Sequence, residues 1–205
     1  MDNTTTPDTP RGTLLKLEVA TVDDVPELTR LWYNAFSIPT MLAIWPDTPG
    51  VRQWWDEATL HDLRHRPCEQ YLKVVDPQTG RIAAFARWSL QTVEARGPRW
   101  PAWHPDQDPA AADAFLQTLE ENRARFVGGR ENFYLDMLAT HTDFRRMGAA
   151  RLLLQWGCEE ADRAKVPVYI DASDEGRPVY ERFGFVAQDV KDGVASMVRE
   201  PGTKA

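Results

Sequence analysis

At 205 residues with 42% hydrophobic content, the chain is long enough for one domain with a substantial core, cramped for two, and not disordered overall. A formal net charge of -7 argues against a general nucleic-acid binder. No apolar run approaches the roughly 20 residues that cross a bilayer, and two distant cysteines, Cys68 and Cys158, without a CxxC pairing read as reduced thiols of a cytosolic protein.

Met1–Gly12 is polar, rich in Thr and Pro, and is expected to be a loose tail. From Leu14 to Ala20, Leu15, Leu17 and Val19 alternate with Lys16 and Glu18, which predicts a strand. Thr21 can cap a following helix whose apolar positions are Val25, Leu28, Leu31, Trp32, Ala35 and Phe36, with Asp23 and Asp24 in its first turn. Ser37–Gly50 holds three prolines and reads as irregular. A second helix is predicted from Val51 to about His65, then a hairpin of Tyr71–Val75 and Ile82–Leu90 around Asp76–Gly80. Thr92–Asp108 reads as irregular and Ala110 to about Phe126 as a helix ended by Gly128 and Gly129. Asn132–Thr140 is a predicted strand, Arg145–Ala150 a loop entering a helix that runs to about Ala164, and Val166–Ala172 a strand. A short helix at Arg177–Phe183 and strands at Phe185–Val190 and Ala195–Val198 complete the chain. The order predicts a mixed α/β sheet flanked by helices, with the strand-helix-strand unit parallel.

The segment Leu138–Leu154 carries the most chemistry. An apolar strand ends at Thr140 and a helix starts directly after Arg145-Arg146-Met147-Gly148-Ala149-Ala150. The first amides of a helix have no carbonyl partner within it and form an anion site reinforced by the helix dipole. Gly148, Ala149 and Ala150 let an anion approach the backbone, and Arg145 and Arg146 add positive charge, so the ligand they suit is a phosphate or pyrophosphate.

Here the chain resembles the GNAT acyltransferase superfamily. Arg145, Gly148 and Ala150 fit its pyrophosphate signature, Gln/Arg-x-x-Gly-x-Gly/Ala, and Tyr180-Glu181-Arg182-Phe183-Gly184-Phe185 fits the Tyr-x-x-x-Gly-Phe sequence that the family carries about 30 residues on. The resemblance runs from Leu14 to Val198, is strongest from Asn132 to Phe185, and looks most like the fungal-type members. It implies a single acyl-CoA N-acyltransferase domain over residues 13–200, α/β (α+β) with a mostly antiparallel sheet and a family-variable insertion at 92–131. It also implies acetyl-CoA as cosubstrate. By the same resemblance, backbone groups of Leu138, Ala139 and Thr140 would pair with the pantetheine arm, and amides from Arg146 to Arg151 would hold the pyrophosphate. Ser173 would contact the cofactor, and Tyr180 would lie near the sulfur.

Acyl transfer to an amine needs a neutral nitrogen, a stabilised oxyanion and a protonated leaving thiol. An alkyl amine has a pKa near ~10, so a base or a desolvating site is required. A backbone N–H near Leu138 could serve the oxyanion, and Tyr180 could protonate the departing sulfur or simply pack its helix on the sheet. Tyr134 and Asp136, at i and i+2 on the central strand, face one side. Asp136 is the better base by chemistry; its other reading is a buried carboxylate paired with an Arg. His61 and His65 have the spacing of a zinc motif, but Asp62 is short for the usual Glu and no third ligand is evident, so a solvated helix face and no metal are expected. Trp45, Trp54, Trp55, Trp88, Trp100 and Trp103 could line an acceptor pocket or form core. Arg64, Arg96 and Arg99 read as solvated charges, and Cys158 as a small buried residue.

The leading expectation is an acetyltransferase acting on a small-molecule amine by direct transfer in a ternary complex. It would be cytoplasmic, with no nucleic-acid or membrane partner, and a monomer or homodimer. The competing one is a non-catalytic CoA-binding regulatory or scaffold protein. A dinucleotide-binding fold is disfavoured, because Gly-x-Gly-x-x-Gly is absent and the phosphate loop comes late in the chain.

Overall fold

The computed structural model describes residues 14–90 and 100–203. The expected tail at Met1–Gly12, the start of the insertion, Arg96 and Arg99 lie outside the described residues. The elements in chain order are β1 (Lys16–Val19), α1 (Val25–Phe36), α2 (Pro39–Ile44), α3 (Pro49–His65), β2 (Glu69–Val75), β3 (Ile82–Ser89), α4 (Pro109–Val127), β4 (Phe133–Thr140), α5 (Ala149–Ala164), β5 (Val168–Ser173), α6 (Arg177–Glu181), β6 (Val186–Lys191) and β7 (Val194–Arg199).

Local chemistry sets these boundaries. Thr21 and Asp24 form a reciprocal cap before α1, with the Thr21 amide donating to Asp24 Oδ2 at 2.7 Å. Thr48 Oγ1 accepts the Val51 amide at the start of α3, and Asp108 Oδ1 accepts those of Ala110 and Ala111 at the start of α4. Gly128, at φ 57°, ends α4. Two expectations need correction. Ser37–Gly50 is not wholly irregular: Pro39 sits in the first turn of α2, where a missing N–H costs nothing. In β1, Leu15 is buried but Val19 is 64% exposed, because β1 is an edge strand that pairs only with β2.

The strands form one seven-stranded sheet in the order β1-β2-β3-β4-β5-β7-β6. Every neighbouring pair is antiparallel except β4 and β5, which are parallel across the α5 crossover. The mixed, mostly antiparallel sheet flanked by helices is the architecture expected. On one face α5 packs Leu153 and Leu154 against Trp88, Leu135, Ile170 and Met197. On the other, α1 and α3 cover Phe85 and Ala139 with Leu28, Leu31, Trp32 and Trp55. Further along that second face, Val127 of α4 meets Tyr134, Tyr169 and Val198.

Candidate active site

The site begins with a defect in the sheet. β4 and β5 pair only at Phe133↔Val168, Tyr134↔Tyr169 and Leu135↔Ile170. Beyond that point β4 continues to Thr140 against β3 alone, and β5 continues to Ser173 against β7 alone. The two strands part and leave a wedge open toward their C-terminal ends. The cause lies on the other edge of β4. The β3–β4 register runs Arg87↔Met137 and then Trp88↔Leu135, so Asp136 is an extra residue, a β-bulge that bends β4 away from β5. Among the described residues, the main-chain groups of Leu138, Ala139 and Thr140 that face β5 are without a sheet partner, and buried main-chain groups need one.

The wedge leads to the predicted anion loop. After β4, Thr142–Phe144 form a 3-10 turn, Arg146 takes a left-handed φ of 63°, and Gly148 caps α5 at φ 87°. Among the described residues, the amides of Gly148, Ala149, Ala150 and Arg151 make no backbone hydrogen bond, whereas the Met147 amide donates to the Phe144 carbonyl at 3.3 Å. Arg145, Arg146, Met147 and Arg151 are exposed and Ala149 is buried. The loop therefore offers amides and guanidinium groups in one place, with Met147 contributing no free N–H.

Ser173 and Tyr180 meet across Gly176 at the end of β5. A Cβ placed on Gly176 would lie 3.0 Å from Tyr180 Cε2 and 3.4 Å from Ser173 Oγ. Ser173 Oγ accepts the Gly176 amide at 3.2 Å. Tyr180 is 9% exposed and sits edge-on to Phe185, with ring centroids 6.0 Å apart, in the cluster under α5. Burial pushes its phenol above the ordinary tyrosine value, so it keeps its proton across the neutral range.

Tyr134 and Asp136 lie on the opposite face, each with another task. Asp136 has no side-chain exposure and its Oδ2 is 3.3 Å from Arg87 Nη1. Arg87 is itself fully buried and ion-paired to Asp62 at 2.9 Å and Glu69 at 3.1 Å. It also lies over the Trp100 ring, 4.8 Å from its centroid. Asp136 as a base open to an acceptor is therefore revised: the bulge turns it toward Arg87, joining β4 to α3 and β2. Tyr134 is 2% exposed and its hydroxyl donates to Asp171 Oδ2 at 3.1 Å. Asp171 and Arg87 were not among the residues expected. One signal for Asp171 is in the sequence: Tyr134-Leu135-Asp136 on β4 is echoed by Tyr169-Ile170-Asp171 on β5. The echo pairs in register and the strands part at the two aspartates.

The tryptophans divide by face. Trp32, Trp45, Trp54, Trp55, Trp100 and Trp103 form one continuous aromatic cluster, with centroid separations such as 4.9 Å for Trp32–Trp55 and 5.2 Å for Trp54–Trp103. The space that Trp32 and Trp55 share with Tyr71, Phe85 and Met137 is about 10 Å³, no more than a single water needs, so these two rings are packed as core. Trp88 lies on the other face, under α5. An open cavity of about 450 Å³ adjoins His141, at the end of β4, between α1 and the start of α3. His61 and His65 stack 5.1 Å apart, with His61 64% exposed, and among the described residues no group of three His, Cys, Asp or Glu is placed to hold a metal. Cys158 is a free, buried thiol pushed up to about 11 by desolvation. No helix among the described residues is long and apolar enough to cross a membrane.

Comparison with known proteins agrees with this geometry. Residues 111–197, from α4 into β7, match the model of the acetyltransferase (GNAT) domain. Comparison with curated proteins gives no match. Among solved structures, a histone acetyltransferase HPA2-related acetyltransferase from Corynebacterium glutamicum is 17% identical with a TM-score of 0.61, covering 93% of this chain and 98% of its own. The ribosomal-protein-S18-alanine N-acetyltransferase of Escherichia coli is 14% identical with a TM-score of 0.55, covering 94% and 97%. The PaiA N-acetyltransferase of Thermoplasma acidophilum, solved with coenzyme A, is 10% identical with a TM-score of 0.55, covering 91% and 99%. The fold is that of the acyl-CoA N-acyltransferases. The match to the acetyltransferase (GNAT) domain covers the stretch that holds β4, the anion loop, α5 and β5.

Proposed function

We propose that this protein transfers the acetyl group of acetyl-CoA to an amine, with a small molecule as acceptor, by direct attack in a ternary complex. The observation that carries this reading is the wedge between β4 and β5, which runs into the free amides at the start of α5. In this reading the pantetheine arm lies along Leu138, Ala139 and Thr140 like an added strand, completing the edge that β5 abandons. The pyrophosphate rests on the amides of Gly148–Arg151, with Arg145 and Arg146 balancing its charge and Met147 covering it. Ser173 contacts the arm from the β5 side. A main-chain N–H near Leu138 faces the thioester carbonyl and stabilises the oxyanion. Tyr180, kept protonated by burial, gives its proton to the leaving sulfur. The acceptor approaches from the face carrying α1, α3 and α4. Tyr134 acts there through Asp171, and Asp136 shapes the wedge through Arg87. The unpaired Cys68 and Cys158 agree with a cytoplasmic site of action.

The experiment is calorimetric titration with acetyl-CoA of the wild type and of Gly148→Glu. Space around Gly148 is open, so the new side chain fits but brings a carboxylate and a disfavoured φ to the anion site. Micromolar binding lost in the variant, followed by thiol release with amines, supports the reading. Absence of acetyl-CoA binding by the wild type overturns it, and binding with no turnover favours a CoA-binding regulatory protein.

A further inference from the structure

The open cavity beside His141 is lined by two arginines and two carboxylates. Its volume of about 450 Å³ lies in the range of a small-molecule site. Arg30 donates from Nε and Nη2 to Glu27 Oε2, the first at 2.8 Å. Arg52 donates from Nε to Asp47 Oδ1 and from Nη2 to Asp47 Oδ2, the second at 2.9 Å. The Arg52 guanidinium also lies over the ring of Tyr33, 4.4 Å from its centroid, which holds its plane. Among the described residues, Nη1 of each arginine and Oε1 of Glu27 make no hydrogen bond. The cavity thus offers donors and an acceptor of opposite sign, while its two acid–base pairs sum to zero charge. Leu31 and Tyr33, both buried, supply apolar lining beside them.

We propose that this cavity is the acceptor site and that it takes an α-amino acid with an uncharged side chain, bound as the zwitterion. The proposal rests on the acetyl-transfer reading above and narrows its small-molecule amine to one class. Position supports it. His141 directly follows Leu138–Thr140, and Asn34, on the cavity wall, accepts the Thr142 amide at 2.8 Å and donates to Thr142 Oγ1 at 3.3 Å. Thr142 opens the turn that leads to the anion loop, so the cavity wall is clasped to the path of the cosubstrate. Charge balance selects the ligand. A purely cationic amine would gain from Glu27 and Asp47 but be repelled by Arg30 and Arg52, and a pure anion would meet the reverse. A zwitterion sets its carboxylate toward the guanidinium Nη1 groups and its ammonium toward Glu27 Oε1, so both of its charges gain. The two ion pairs are part-exposed, and pairs of that kind contribute little to stability, so they shift at small cost to admit it.

In the transfer the ammonium loses two protons, one to solvent before attack and one to the departing sulfur. The nitrogen forms the C–N bond, and the C–S bond breaks with its electrons on sulfur. The products are the free thiol and an N-acetyl amino acid, which keeps its carboxylate and has lost its positive charge. That anion no longer matches both signs of the cavity, which favours its release.

The test measures thiol release with phenylalanine, methionine and glutamine, each against its own carboxamide, and with phenethylamine as the decarboxylated probe. Expected is a kcat/KM for each amino acid about ten-fold or more above that of its carboxamide, as for a hydrogen bond to a charged group. Arg30→Gln and Arg52→Gln should each raise the amino-acid KM by a similar factor. Both should leave the carboxamide KM and the acetyl-CoA Kd within about two-fold of wild type, the latter serving as the control for folding. Equal use of carboxamides or phenethylamine overturns the proposal, and would point instead to a peptide N-terminus or a simple amine. An unchanged amino-acid KM in either variant overturns it as well, as does a wild type that binds acetyl-CoA but acetylates none of the three amino acids. Those outcomes leave the acetyl-transfer reading standing, whereas failure to bind acetyl-CoA at all defeats that reading and this proposal together.

Discussion

The indole of Trp88 on β3 lies against Gly157 on α5 so closely that a Cβ on Gly157 would fall inside the contact distance of ring atoms Cζ2 and Cη2. Trp88 is fully buried, so its ring has nowhere to turn. Alanine is the better helix former by about 1 kcal/mol, but overpacking costs roughly 1–3 kcal/mol and here acts against an immobile ring. Gly157→Ala should therefore lower stability in urea, with a fall in Tm of about 2–4 °C for each kcal/mol lost. Gly129→Ala, with no atom within 4 Å of the added carbon, is the matched control and should stay within about 0.5 kcal/mol of wild type.

Arg87 faces three carboxylates, Asp62, Glu69 and Asp136, inside the protein. Removing one acid leaves the cation with two partners, whereas removing the cation leaves three buried acids without it. Arg87→Met should thus be the more damaging change, by about 3–5 kcal/mol or more, and Asp136→Asn the milder, at about 1–3 kcal/mol. Urea midpoints of the two variants give the order directly. Equal losses would mean that the acids are satisfied without Arg87.

Tyr180→Phe keeps the ring that packs on Phe185 and removes only the phenol. Turnover should fall by about 10²-fold or more while acetyl-CoA binding and stability hold. Because burial raises the phenol above its ordinary value, the wild-type rate should show no alkaline loss from this group below about pH 10. Wild-type turnover in the phenylalanine variant would reduce Tyr180 to a packing residue.

At the far end of α5, Asp162 accepts both terminal nitrogens of Arg199, at 2.7 and 2.8 Å, and the Gly202 amide at 2.7 Å. The hydrogen bond from Arg199 is the largest cause holding the Asp162 carboxyl below its usual value. A carboxylate with a depressed folded pKa adds stability that is complete above about pH 3.9 and is lost as pH falls through the folded value. Asp162→Asn should be less stable than wild type at neutral pH, and the gap should close as the solution is acidified below that range. Denaturation curves taken at neutral and acid pH measure it.

Much of the architecture was legible from periodicity and caps. The Asp76–Gly80 turn between β2 and β3, the Thr21 cap and the Arg145–Ala150 loop each depend on a few neighbouring side chains, and sequence displays those. The Tyr180 motif did the same for the end of β5. The split was not legible. It follows from a one-residue slip between Arg87 and Trp88 on a neighbouring strand, a main-chain event with no composition of its own. For that reason Asp136 read as a base, although its partner is an arginine nearly fifty positions earlier in the chain. The tryptophans were ambiguous for a related cause: a ring that lines a pocket and a ring that packs on another ring have the same spacing on α3. Only the contacts of Trp54 and Trp55 with Trp100 decide between them.

The divergence of β4 and β5 also bears on how the molecule moves. The sheet consists of two ribbons, β1 to β4 and β5 to β7, sutured by three residue pairs at one end of the seam. Such a join is the natural place for the halves to flex, and a strand-like ligand laid along the seam would extend the suture to both edges at once. Main-chain amides of Leu138 and Thr140 that exchange with deuterium quickly in the free protein, and slowly once acetyl-CoA is present, would record that stitching in each protein molecule.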